Sequence, residues 1–140
     1  MCIRDRPDLD RLGLCLGVEV RVHYYQIPSR PEEAIYLLNE ADPALIGYWH
    51  DTGHAEALER LGFVPHVAWL EELHSRLVGV HFSDIQGLRD HLAPGLGELD
   101  FARLAPWLPP EIIRTCEVQH RNRPEEIIAG VEHLRATGCA

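Results

Sequence analysis

Paired cysteines, long apolar runs and basic charge are all scarce in this 140-residue chain. Its four cysteines, Cys2, Cys15, Cys116 and Cys139, stand far apart and form no C-x-x-C pair, so a zinc ribbon or dithiol redox motif has no support. Scattered thiols fit a reducing compartment, and a cytoplasmic location is expected. No stretch reaches the roughly 20 apolar residues of a membrane span. The charged start MCIRDRPDLD lacks the apolar segment of a signal peptide, and no membrane partner is expected. Basic residues number 13 against 22 acidic ones, a net charge of -9 with histidine neutral. That balance speaks against nucleic acid as a partner, because its binders carry a basic face.

What is present is enough apolar material, 46%, for one globular domain, and an unusually high count of nine histidines. The run Leu12 to Val22 predicts a buried strand ending near Glu19. Pro31 opens a helix, with Glu32 and Glu33 near its positive end, that stops by Asp42-Pro43. A second strand covers Leu45 to Trp49, followed by a short helix from His54 to Leu61 closed by Gly62. A helix over His66 to Arg76 leads into a third strand, Leu77 to Phe82. A Gly-rich loop, SDIQGLRDHLAPGLGELD, feeds a helix from Asp100 to Leu108. The fourth strand is Ile112 to Val118, and the last helix runs from Pro124 to about Ala136. Strand and helix thus alternate four times at about 30 residues per unit, the pattern of an α/β protein with a parallel sheet.

The strand ends are polar. The first reaches Glu19, the second Asp51 with His54 a turn later, the third His81 followed by Asp84, the fourth Glu117. In a parallel barrel these ends share one mouth. Three carboxylates and one imidazole form a hard, oxygen-rich set that suits Mn²⁺, Mg²⁺ or Co²⁺ better than a structural Zn²⁺ site, which favours Cys and His. Asp51 has no Lys or Arg beside it in HDTGH, and a divalent cation supplies the missing counter-charge. Taken singly, each residue has a plainer role. Glu19 can pair with Arg21, Asp51 can cap the helix that follows it, and His81 can be a hydrogen-bonded core histidine. Glu117 is harder to explain away, since an unpaired buried carboxylate is costly. Four such accidents at one end of four successive units are improbable.

The segments YWHDTGHAEALERLG, VGVHFSDIQGLRDHLAPGLGELDF and RTCEVQ resemble the C-terminal half of the xylose isomerase-like barrels. These include sugar (phosphate) isomerases and epimerases, the inosose dehydratase type, and the endonuclease IV branch, also grouped as AP endonuclease family 2. The likeness runs from about Leu12 to Leu134, and its D-x-G-H and H-x-x-D…H-x-x-P-G-x-G-x-x-D-F blocks are specific mainly in combination. It implies a (β/α)8 TIM barrel of which residues 12–140 hold strands five to eight, with 1–11 a non-native or disordered leader. It implies that Glu19, Asp51, His81 and Glu117 hold one divalent metal, Mn²⁺ foremost. Glu19 and Glu117 are then the catalytic pair that moves a proton next to a carbonyl, while the cation polarises the substrate oxygens. His54, His91 and Arg89 are the implied substrate contacts, with His54 at a second metal in the nuclease branch and His91 near the substrate or an extra metal.

The implied partner is a small sugar, sugar phosphate or inosose, and a homo-oligomer is admitted. The nuclease branch places an Asp two residues before the loop His, where this chain has Arg89 and carries Asp90 one residue late. That departure, with the acidic balance, disfavours phosphodiester hydrolysis. His120 and Arg121, just past Glu117, are equally readable as contacts to a phosphate or sugar hydroxyl and as a solvated loop. A half barrel taken alone is expected to show little or no activity and to expose two strand edges that a second copy could pair.

Overall fold

The computed structural model describes residues 6–23 and 25–140. Four parallel strands, β1 (Leu16–Glu19), β2 (Ile46–Asp51), β3 (Leu77–Phe82) and β6 (Ile113–Cys116), form one sheet in the order β1-β2-β3-β6. Helices α2 (Pro31–Asn39), α3 (Thr52–Arg60), α4 (His66–Leu73) and α5 (Pro124–Ala136) supply the layer over it, after a short α1 (Arg6–Leu12). The expected leader falls partly on residues 1–5, which lie outside the described residues. From Arg6 onward the chain is helical, and Leu9 is buried.

The alternation of each strand decides what faces the helices. Tyr48, Val80 and Phe82 point into a core completed by Leu38, Leu58, Trp69, Leu70, Phe101 and Leu134. Each large apolar side chain buried there contributes roughly 1.5–3 kcal/mol against exposure. Gly17, Trp49, Gly79 and Ile113 fall on the opposite, inner face, where Ile113 is exposed. Burial on both faces, expected for every strand, therefore holds for β2 and β3, whereas β1 and β6 are half exposed.

Two local expectations are corrected. The segment after β3 is not wholly loop: Asp84–Gln86 (β4) and Arg89–Leu92 (β5) pair as an antiparallel hairpin around Gly87, whose φ is +59°. The helix expected over residues 100–108 is two 3-10 turns, Phe101–Arg103 and Ala105–Trp107. Pro106 has no N–H to continue an α-helical ladder, and Pro109 and Pro110 end the segment.

Candidate metal centre

Parallel register places the functional side chains. Asp51 stands opposite His81 across β2 and β3, and Glu19 ends β1 beside them. Glu117 follows β6, its backbone N–H donating to Phe82 O at 3.0 Å. The ligand atoms of Glu19, Asp51, His81 and Glu117 all lie within 4.8 Å of one another. Three carboxylates converge on one ring nitrogen: His81 Nδ1 is 2.7 Å from Glu19 Oε1, 2.9 Å from Glu117 Oε2 and 3.9 Å from Asp51 Oδ2.

One N–H cannot serve three acceptors. Ionised carboxylates only accept, so Nδ1–H donates to Glu19, leaving Glu117 Oε2 close by without a hydrogen bond. Asp51 Oδ2 is also buried and unpartnered. Burial, opposed by His54 and reinforced by Glu19 and Glu117, pushes the Asp51 carboxyl up to about 6. Burial raises Glu19 as well, but the His81 hydrogen bond, His54 and Arg21 outweigh it and hold Glu19 below its usual range. His81 is raised, chiefly by its bond to Glu19. Two orphaned carboxylate oxygens aimed at one point are a costly arrangement without a cation and fit a hard divalent ion well.

The tetrapeptide Asp51-Thr52-Gly53-His54 builds this corner. Asp51 Oδ1 accepts from His54 N at 2.7 Å, so the residue is both candidate ligand and N-cap of α3. Thr52 Oγ1 donates to Ser83 O at 2.7 Å and accepts from Ser83 N at 3.0 Å, tying the ends of β2 and β3 together. Gly53 passes so close to β3 that a Cβ there would lie 2.4 Å from Ser83 Oγ. Farther round, Asp84 accepts from the backbone N–H groups of Ile85, Gly95, Gly97 and Leu99, which folds the Pro94-Gly95-Leu96-Gly97 loop around it. Asp100 caps the following 3-10 turn through Ala102 N.

A second group of candidate ligands adjoins the first: His54, Asp90 and His91. His54 Nδ1 donates to Val20 O at 3.0 Å and His91 Nδ1 to Glu117 O at 3.2 Å, which leaves both Nε2 atoms as acceptors. Their rings meet edge to face at 5.4 Å. His91 has φ +55°, rare for a residue with a side chain, and this bend puts consecutive residues 90 and 91 on one side of the hairpin. Asn122 holds the bend by donating to His91 O at 2.9 Å and accepting from Ala93 N. Strand alternation turns Arg89 away from Asp90, and Arg89 is exposed. His120 and Arg121 are likewise exposed, and His120 is in neither group.

Sequence reasoning missed three contributors. Trp49 lies on the inner face against Gly17 and Gly79, both too close to it to carry a Cβ, and meets His81 edge to face at 5.0 Å. Asn122 gives no signal beyond being polar in a loop. Behind Asp51 runs a buried chain of bonds, Tyr48 Oη to His50 Nδ1 at 2.8 Å, His50 Nε2 to His66 Nε2 at 3.0 Å, and His66 Nδ1 to Glu56 Oε2 at 3.0 Å. One proton per contact satisfies it: Tyr48 donates to His50, His50 to His66, and His66 to Glu56. Burial, with His66 and His54 nearby, keeps His50 well below the usual imidazole range.

No protein-family model and no curated protein matches the chain. Solved structures do. A D-tagatose 3-epimerase-like protein superposes with TM-score 0.74 at 20% identity, covering 92% of this chain and 48% of that one. The 3-keto-D-glucoside 4-epimerase YcjR from E. coli gives TM-score 0.70 at 19% identity, with 91% and 48% covered. The chain therefore has the α/β fold of these epimerase structures, a partial TIM barrel spanning about half their length.

Proposed function

We propose that these four strands are half of a divalent-metal-dependent sugar isomerase or epimerase, which moves a proton next to a carbonyl. The carrying observation is the convergence of Glu19, Asp51 and Glu117 on His81 Nδ1, with Asp51 Oδ2 and Glu117 Oε2 buried and unpartnered. Those four residues would hold the ion, Mn²⁺ by preference for an oxygen-rich set. When bound, the ion supplies Lewis-acid polarisation of substrate oxygens. Glu19 and Glu117 stand on either side of His81 and take the roles of proton acceptor and donor. Trp49 packs edge to face against His81 beneath them and fixes the ring's position. The substrate class is a sugar, sugar phosphate or inosose, handled in the cytoplasm.

The barrel mouth needs four more strands. Edge strands β1 and β6 each pair on one side only. A groove of about 470 Å³ runs along β1 and α2, lined by Leu16, Val18, Tyr36, Leu37 and Ile46. Further strands, in a longer chain or in a second copy, would cover it. Sedimentation of the 140-residue chain tests the second copy, and a monomer at all concentrations rules it out.

A second reading, a metal-dependent phosphodiester hydrolase, draws support from one observation: Asp90 joins His54 and His91 as a further ligand group. The net charge of -9 weighs against a polyanionic substrate. Manganese titration followed by electron paramagnetic resonance, beside Asp51→Ala, decides between them. One tight equivalent lost in the variant supports the isomerase reading, a second equivalent at the His54 group favours the hydrolase, and no binding removes both.

A further inference from the structure

Arg21 has no part in the chemistry described so far, yet it sits against it. Val20 is fully buried and points into the helix layer, so alternation puts Glu19 and Arg21 together on the inner side of the chain, at the mouth. The two oxygens of Glu19 divide between neighbours: Oε1 takes the His81 proton and Oε2 accepts from Arg21 NH1. The guanidinium is thus one carboxylate away from the point where the candidate ligands converge. Its backbone is fixed as well, because Arg21 N donates to Pro28 O at 2.7 Å and closes the loop that follows β1.

Only one side-chain donor of Arg21 is engaged among the described residues, and its side chain is 36% exposed. Arginine carries five N–H groups in a fixed plane, matched to the paired oxygens of a carboxylate or phosphate. Elsewhere the chain uses that capacity fully: Arg114 donates to the carbonyls of Leu108, Pro109, Pro110, Ile112 and Cys139. Arg21 is left with donors that have no partner among the described residues, on a partly exposed side chain beside Glu19. The sequence contains no lysine, and Arg89 and Arg121 are exposed, whereas Arg21 is bonded to Glu19 itself.

Charge points the same way. Three ionised carboxylates exceed a divalent cation by one unit, and an anionic substrate would be repelled by the remainder. Arg21 cancels it and offers the donors as well.

We propose that Arg21 is the anion anchor of this site, selecting substrates that carry a phosphate or carboxylate group over neutral sugars. The inference rests on the metal-dependent sugar reading above and narrows it. It assigns the part of the substrate remote from the reacting carbons, where binding energy positions the rest.

The test uses the 140-residue chain loaded with Mn²⁺ and three probes: D-fructose, D-fructose 6-phosphate and D-fructuronate. Affinities come from the paramagnetic broadening of probe protons in wild type, Arg21→Gln and Arg21→Lys. Wild type is expected to hold at least one anionic probe about tenfold more tightly than fructose, as a charge-assisted contact gives. Arg21→Gln should reduce that preference to about twofold or less, and Arg21→Lys should restore part of it as a point charge without the fork. Which anionic probe leads separates phosphate from carboxylate. A lost fold would lower all three affinities together, whereas the anchor changes their ratio. Equal binding of all probes by wild type, no binding of any, or an unchanged ratio in Arg21→Gln overturns the anchor while leaving the metal site standing. Absence of Mn²⁺ binding to wild type overturns the metal reading and the anchor with it.

Discussion

Glu19 and His81, 62 residues apart in the chain, share a 2.7 Å hydrogen bond across the end of the parallel sheet. The bond is a proton doing a cation's work: it satisfies Glu19 alone and leaves Glu117 Oε2, 2.9 Å away, and Asp51 Oδ2, 3.9 Å away, without a hydrogen bond among the described residues. The predictions below follow from that shortage of positive charge and from the way the surrounding elements are held.

Asp51 should trade stability for metal. Its buried carboxyl titrates at about 6 against an ordinary 3.8, so without metal the folded state holds the proton more tightly than the unfolded chain. That contribution is fully present below pH 3.8 and is lost as pH rises through about 6. Asp51→Asn removes the titration and keeps an N-cap acceptor. At pH 7 without metal, Asp51→Asn is expected to melt above wild type, while Mn²⁺ raises the melting temperature of wild type alone. A variant that melts lower without metal would show that the carboxylate is already compensated.

Glu56 should give the opposite pH dependence. His66 first, with Arg60, holds its carboxyl near 2 against an ordinary 4.5, despite partial burial. The stability this provides is complete above pH 4.5 and disappears as pH falls through about 2. Glu56→Gln should lose stability at neutral pH and flatten the acid limb of the stability curve. Urea titrations between pH 2 and 7 measure both, and an unchanged acid limb would remove Glu56 from the buried chain of bonds.

Gly53 and Ser83 should couple. A Cβ at 53 meets Ser83 Oγ at 2.4 Å, and overpacking of this kind costs about 1–3 kcal/mol. Ser83 Oγ is itself buried without a partner, so Ser83→Ala should be neutral or stabilising. The double variant is expected to recover most of the Gly53→Ala loss in urea unfolding. Simple additivity of the two changes would mean that the clash is relieved elsewhere.

The two ligand groups should separate by variant. Asp51→Ala is expected to weaken Mn²⁺ binding by more than about 100-fold, beyond the effect of disturbing an outer-shell partner. His91→Ala should leave the first equivalent in place, because His91 touches Glu117 only through its backbone carbonyl. Loss of all manganese binding in His91→Ala would mean that the groups act as one site.

The alternation of strands and helices, and the gathering of Glu19, Asp51, His81 and Glu117 at the strand ends, were legible in the residues alone. Both are local: apolar runs mark strands, Pro31 and Pro124 start helices, and parallel βα units place strand ends on one side whatever their exact pairing. The capping of α3 by Asp51 was legible as well, because Asp is a favoured acceptor at a strand-to-helix turn. Tertiary structure decided the rest. Asp90 and His91 reach His54 together because the β4–β5 hairpin and the positive φ of His91 set which side chains face inward. The chain from Tyr48 through His50 and His66 to Glu56 exists only once α4 packs behind β2. Arg21 reads from sequence as a surface partner for Glu19. The burial of Val20 turns it to the mouth, because in an extended chain neighbours of a buried residue must face the other way.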